Sequence, residues 1–351
     1  VWALAASADR RRGRSLEKPV RIRTLADLAK IAGVNTATVS RALADSPLVK
    51  TDTKARIQAL AQAHGFRPNQ MARRLRAQRT GVIGVVAPVG HEKRQHLSDP
   101  FFMTMLGHLA DALTENGYDI MLSRVIPDTA DWLEAIIGSG MLDGVLLIGQ
   151  SDQFEAIERA AAHYRPLVAW GSHWSGQRHC SVGTDNFAGG RLAGERLAAA
   201  GARRIAFLGE VRTPEIGQRH AGLCAALQAQ GLPAPLRFDV HLASDVMEQE
   251  ISTHIAQAGE DIDGVFAASD VIAMTALRVL TDRGLVVPDQ VRVVGYDDIP
   301  LAAQTVPRLT TVRQDIATGA KAMVDALFAR IAGEDAASVQ MIPVLVRRDT
   351  A

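Results

Sequence analysis

The sequence predicts a multidomain protein of two fold classes: an all-α helix-turn-helix head and an α/β body of two lobes. Charge is the first sign of the division. The 351 residues carry 39 Lys/Arg and 38 Asp/Glu, yet positions 1–80 hold 17 basic against 5 acidic side chains, leaving the remainder acidic. Such a split suits one segment facing a polyanion and a separate acidic body. Periodicity is the second sign. Short helical patterns fill 24–64, and from Gly81 apolar strands alternate with amphipathic helices. Length is the third: the stretch 81–351 is long for one doubly wound sheet, so two lobes with a cleft between them are expected.

Residues 1–20 show no period and are rich in Arg, Ala and Ser. They read as a loose basic tail, either native or the product of an upstream start codon. The head occupies 21–67. Thr24 followed by Asp27 is a capping box for a first helix through Leu25, Leu28, Ala29 and Ile31, and Gly33 ends it. Asn35 caps a second helix with Val39, Ala42 and Leu43. Thr51 or Asp52 caps a third, with Ile57 and Leu60 apolar and Gly65 as its stop. Ala29 is small where two helices cross, and Val39 packs back on the first. That leaves Thr36, Ala37, Ser40 and Arg41 on the opposite face, free to enter a major groove. The Arg41 fork matches guanine O6/N7. A plain three-helix bundle has the same spacing, but it has no need of so strong a positive field.

Residues 68–80 form a connector. Asn69 to Gln78 is too short for a helix that is stable alone, and Arg73, Arg74, Arg76 and Arg79 repel one another. The expectation is disorder in the free protein and a helix when phosphates neutralise it. Leu75 reads as an apolar wedge for a minor-groove step, or else packs with Met71 on the head.

In the body, 81–351, strands are expected at Val82–Ala87, Tyr118–Ser123, Gly144–Ile148, Leu167–Trp170, Arg204–Leu208, Gly264–Ala267 and Val291–Val294. Helices fall near 102–116, 129–138, 153–162 and 187–200. Several classes of function lack support. No G-x-G-x-x-G follows a strand, and no phosphate-binding G-x-x-x-x-G-K-[ST] occurs. H-E-x-x-H and G-x-S-x-G are absent too, so no catalytic residue, cofactor or metal site is assigned. Two cysteines, Cys180 and Cys224, exclude a disulfide framework and read as ordinary thiols. No apolar run reaches the length of a membrane span, and Val1 to Ser7 is short for a signal core. A soluble, cytoplasmic protein is expected.

The run Ala32-Gly33-Val34, Thr38-Val39-Ser40-Arg41-Ala42-Leu43, Gly65-Phe66-Arg67-Pro68-Asn69 and Ala72-Arg73-Arg74-Leu75 resembles the lactose-repressor (LacI/GalR) family of bacterial transcription regulators. The likeness runs from Thr24 to the C-terminus. Ala44 departs from it, standing where the family has a polar, Asn-type residue. The resemblance implies a homodimer on a near-palindromic double-stranded operator. It also implies a body like periplasmic sugar-binding proteins, closing on a small-molecule effector. The implied activity is a transcriptional regulator, a repressor of carbohydrate-utilisation genes whose operator affinity a sugar switches. A nucleobase or nucleoside effector is the alternative, and a sugar-binding protein or enzyme without a DNA role is a more distant one. No leucine heptad follows Val344–Val346, which favours a dimer over a tetramer.

The DNA-facing candidates are Thr24, Leu25, Asn35, Thr36, Ala37, Ser40, Arg41, Thr53, Asn69 and Leu75. Ligands of parallel sheets sit at the carboxyl ends of strands, which points to Ser269, Asp270 and Asp297. Arg219 joins Asp270 and Asp297 as a polar set, and Phe101, Phe102 and Trp170 form apolar walls. Arg124, ending the second strand, would suit an acidic sugar. The resemblance implies effector contact by Arg219, Ser269 and Asp297. Asp270 equally suits a helix cap, Asp185-Asn186 a helix start, and Trp170 the core. Gly171 departs from the family, which places a polar or acidic ligand contact there.

Overall fold

A computed structural model describes residues 24–66, 79–89, 95–150, 152–242, 246–259 and 262–351. The chain divides into two compact units, at Gln78/Arg79. The tail (1–20), Asn69, Leu75 and most of the expected connector lie outside the described residues.

The first unit is three helices, α1 (Leu25–Ala32), α2 (Thr36–Leu43) and α3 (Thr51–Ala63). Thr24 and Asp27 close the capping box: the Thr24 hydroxyl accepts from the Asp27 N–H at 3.1 Å, and the Asp27 carboxylate accepts from the Thr24 N–H at 3.0 Å. Gly33 takes the left-handed turn at φ 65° that frees the chain to start α2. Asn35 caps α2 through the Thr38 N–H at 2.7 Å. α3 differs from expectation. Its N-cap is Lys50, which makes no side-chain capping bond, and Thr51 and Asp52 lie inside the first turn. Asp52 there still complements the helix dipole. Leu28, Ala29, Ala32, Val39, Ala42, Val49, Ile57, Ala61 and Phe66 form the core.

The second unit holds two six-stranded sheets. The first runs β11-β5-β4-β3-β1-β2, with all pairs parallel. Its strands are β1 (Val82–Pro88), β2 (Asp119–Val125), β3 (Gly144–Ile148), β4 (Leu167–Trp170), β5 (Cys180–Thr184) and β11 (Val339–Met341). The second runs β12-β10-β9-β8-β6-β7, parallel except for β12 against β10. It comprises β6 (Ile205–Leu208), β7 (Leu236–Phe238), β8 (Gly264–Ala267), β9 (Arg292–Asp297), β10 (Thr310–Arg313) and β12 (Val344–Val346).

Period-two alternation sorts the first sheet's side chains onto two faces. Ile83, Val85, Leu146, Ile148, Val168 and Trp170 pack with α4 (Pro100–Glu115) and α11 (Ile316–Ile331). Val86, Val145, Leu147, Leu167 and Ala169 pack with α5 (Trp132–Ile137) and α6 (Phe154–Ala161). Both faces are apolar, as a helix-covered parallel sheet requires. In the second lobe, α7 (Asn186–Ala199), α8 (Pro214–Ala229), α9 (Met247–Ala258) and α10 (Asp270–Asp282) enclose one continuous core. The chain crosses between lobes three times, from β5 to α7, from β10 to α11 and from β11 to β12. Among the described residues no helix is long and apolar enough to cross a membrane.

Candidate functional site

A cavity of about 120 Å³ lies between the two lobes. At roughly 10–15 Å³ per water by that measure, it has room for one sugar-sized molecule with some solvent. The carboxyl ends of β1, β3 and β4 contribute Pro88, Ile148, Gly149 and Trp170 from the first lobe. The second lobe contributes Ser269 after β8 and Asp297 at the end of β9. Parallel strands leave such a crevice at their carboxyl ends where neighbouring connections leave to opposite faces of the sheet.

The second lobe's floor is built around Arg219. Helices α7 and α8 meet backbone to backbone: a Cβ at Gly190 would collide with the Arg219 carbonyl, and one at Gly222 with that of Phe187. That contact fixes the start of α7 beside Arg219. Asn186 Oδ1 accepts from Arg219 Nε at 2.8 Å, and the Ala268 carbonyl accepts from its Nη1 at 2.6 Å. The guanidinium lies 3.7 Å from the centre of the Tyr296 ring and 3.9 Å from Asp297 Oδ1. Asp297 sits at φ 117°, a conformation that strains a non-glycine residue. Its neighbours hold it there: Gln314 Nε2 donates to Asp297 Oδ1 at 2.7 Å, while Arg313 and Arg348 bind Asp298. Burial pushes the Asp297 carboxyl up to about 7 against the pull of Arg219.

The first lobe's wall is aromatic. Phe101 packs against Phe102 and Trp170 with ring centres 6.0 and 6.2 Å apart. Asp99 caps α4, its Oδ1 accepting from the Phe101 N–H at 2.9 Å, and lines the same cavity. Burial raises its carboxyl above the ordinary range.

Six of the eight expected effector residues come together here: Phe101, Phe102, Trp170, Arg219, Ser269 and Asp297. Trp170 serves as both core and wall. Arg219 falls in the second turn of α8. The other two residues stand elsewhere. Asp270 is fully buried and accepts from the Ile299 N–H at 2.9 Å and the Thr311 hydroxyl at 2.5 Å, tying α10 to β10. It does not cap α10; Ser269 does, accepting from the Ile272 N–H. Arg124, one residue before the end of the edge strand β2, donates to the Gln95 carbonyl at 3.1 Å, outside the lining. Asp185 and Asn186 start α7, Asp185 as its cap. Sequence reasoning missed Gln95, Thr213, Glu215 and Gln314. Glu215 carried no signal because an acid in a first helical turn ordinarily answers the dipole.

In the first unit, Thr36, Ala37 and Arg41 are exposed on α2 and Ser40 is half-buried, while Val39 and Ala42 face the core. Leu25 packs on that core, so what it offers outward is its N–H at the start of α1. Thr24 and Asn35 are exposed caps, and Thr53 is half-buried in the first turn of α3.

Fold and site together define a class: a helix-turn-helix unit and a two-lobed α/β unit with a ligand-sized cleft, in one chain. Residues 24–69 match the model for bacterial regulatory proteins of the lacI family, and residues 195–351 match the periplasmic binding protein-like domain. The sucrose operon repressor of Pediococcus pentosaceus is 31% identical over 319 residues, covering 89% of this chain and 93% of the relative. The HTH-type transcriptional regulator GalS of Salmonella typhimurium is 30% identical, covering 93% of this chain and 95% of its own. Among solved structures, the lac repressor dimer bound to operator and the anti-inducer ONPF aligns at a TM-score of 0.81. It is 25% identical over 95% of this chain and 99% of its own. A transcriptional regulator CelR–cellobiose complex aligns at 0.65 and 28% identity, covering 94% of this chain and all of its own (100%). The chain belongs to the lacI family of bacterial regulatory proteins.

Proposed function

We propose that this protein is a homodimeric repressor of carbohydrate-utilisation genes, released from or held on its operator by a sugar bound between the lobes. One observation carries the reading. A family head with an exposed polar face on α2 shares a chain with a cleft whose floor is Arg219, Asp297 and Ser269 and whose wall is aromatic. Fixed polar groups opposite aromatic faces suit a ring with hydroxyls on its edges and C–H bonds on its faces.

Thr36, Ala37, Ser40 and Arg41 read base edges. Thr24, the Leu25 N–H, Asn35 and Thr53 contact phosphates. Two heads related by a two-fold axis match a near-palindromic operator, and Asn69 and Leu75 complete the contact. The sugar switches the protein because it binds one lobe arrangement better than the other; equal affinity for both would move nothing. A nucleoside suits the cleft less well. Phe101 and Trp170 are tilted by 50° and packed on each other, so they leave no parallel slot for a base.

The test is a titration of fluorescent palindromic DNA at several salt concentrations, with and without a panel of sugars. Specific binding with a steep salt dependence and a sugar-dependent shift is expected. Equal affinity for operator and random duplex would overturn the reading.

A further inference from the structure

The second lobe sends one further acid across the cleft, and the first lobe makes room for it. Glu215, in the first turn of α8, lines the cavity. Its Oε1 accepts a hydrogen bond at 3.1 Å from the backbone N–H of Ser172, which belongs to the first lobe. Next to that amide is Gly171. A Cβ there would stand 2.6 Å from Glu215 Oε1 and 2.9 Å from Gln150 Cγ and Nε2. Any other residue at 171 would therefore displace the carboxylate or the amide. Glycine and glutamate form one arrangement: the first lobe gives up a side chain at the end of β4, and the second lobe fills that space with an acid.

Polar capacity is left over around this point. Thr213, also lining the cavity, is 5% exposed, and Gln150 is fully buried. Thr213 Oγ1 and Gln150 Oε1 both lack a hydrogen-bond partner. Buried polar atoms without partners are uncommon and await a ligand or water. The charge balance is equally lopsided. Asp99, Glu215 and Asp297 are the acids of the described lining, and Arg219 is its one cation. That guanidinium is already committed to Asn186, the Ala268 carbonyl and the Tyr296 ring.

We infer that Glu215 determines specificity in this cleft, selecting hydroxylated ligands that are neutral or cationic and excluding those that carry a carboxylate or phosphate. The inference rests on the effector reading above and narrows it. An anionic ligand would bring a further negative charge beside three acidic side chains whose charged forms burial already disfavours. A hydroxyl or ammonium instead donates to them. Burial raises the Glu215 carboxyl, so such a donor also favours its charged form.

Calorimetry on the full chain tests this with neutral sugars, 2-amino-2-deoxy sugars, the matching uronates and sugar phosphates, and nucleosides. A neutral or amino sugar is expected to bind at least tenfold tighter than its uronate. Glu215→Gln, which keeps the shape, is expected to weaken that ligand at least tenfold and to narrow its lead over the uronate. Gly171→Ala is expected to weaken it too. A uronate or phosphate bound as tightly as the neutral sugar overturns the inference and leaves the sugar reading standing. A nucleoside as the single ligand overturns the sugar reading, and an unchanged nucleoside affinity in Glu215→Gln would then overturn the inference as well. Amide exchange needs no ligand. The Ser172 N–H is expected to exchange at least tenfold faster in Glu215→Ala, and equal rates would remove the bond on which the arrangement depends.

Discussion

The side chains proposed for recognition in the helix-turn-helix unit and in the cleft are held differently. Thr36, Ala37 and Arg41 stand in solvent on α2, while Val39 and Ala42 on the same helix do the packing. In the cleft the two jobs fall on the same residues. Arg219 is 7% exposed, and it orients Asp297 while bonding Asn186 and the Ala268 carbonyl. An exposed recognition face can change without cost to the fold, whereas a buried one cannot.

Arg219→Ala tests the contrast most severely. It strips Asp297, Asn186 and the Tyr296 ring of their partner, and removing one member of a buried charged set costs about 3–5 kcal/mol. Urea unfolding is expected to show a loss of that size, and calorimetry a loss of effector binding. Stability retained within about 1 kcal/mol would break the comparison.

Next comes pH. The Asp297 carboxyl titrates at about 7 in the folded chain against 3.8 when free. Between those values the folded state keeps a proton that the unfolded chain has released, so it binds more protons. Stability from this group therefore falls as pH rises from about 4 to about 7, by up to roughly 1.4 kcal/mol per pH unit, and is level above. The ligand-free wild type minus Asp297→Asn, by urea midpoints across that window, is expected to show the slope. Buried His179 and half-buried His220, whose basicity burial lowers, act in the opposite sense and cancel in the difference, whereas Asp270 and Asp99, which repel the Asp297 charge, contribute to the slope along with it.

Arg41→Ala addresses the exposed face. It is expected to cost about 1–3 kcal/mol of operator affinity and to relax discrimination at one base pair. Unfolding of the chain and effector binding should not change. The smallest effect belongs to Asn35→Ala, which removes the cap on Thr38 and costs the three-helix unit about 1 kcal/mol in its thermal transition.

The same contrast governs what the sequence discloses. Leu25 and Leu28, Val39 and Ala42, and Ile57 and Leu60 sit at helical spacing within their helices, and Thr24, Gly33 and Asn35 punctuate them, so the three-helix unit is readable almost residue by residue. The exception is α3, whose start is set by Lys50 without a capping side chain. Gly144–Ile148, Leu167–Trp170 and Gly264–Ala267 are uniform apolar runs and were placed to the residue. β5, β7, β10, β11 and β12 are not legible because Cys180-Ser181-Val182-Gly183-Thr184 and its like are short and mixed, and become strands through neighbours distant in the chain. In the cleft, topology points to strand ends but not to side-chain direction. It therefore points to Ser269 and Asp297, which line the cavity, and equally suggests Asp270, which turns inward, and Arg124, near the end of an edge strand. Glu215 and Gln314 come from a helix turn and a crossover, where no local pattern separates a ligand contact from ordinary surface chemistry.

One carboxylate far from the cleft has a mechanical meaning. Asp143, just before β3, accepts from the Thr80 N–H and hydroxyl at 2.6 and 2.9 Å and from the Gly81 N–H at 2.8 Å. The polypeptide thus enters the two-lobed unit at a riveted post shared by two adjacent central strands. Any turn of the first sheet would therefore carry Thr80 with it. Replacing Asp143 with Ala would loosen the rivet and free Thr80 and Gly81 from the start of β3.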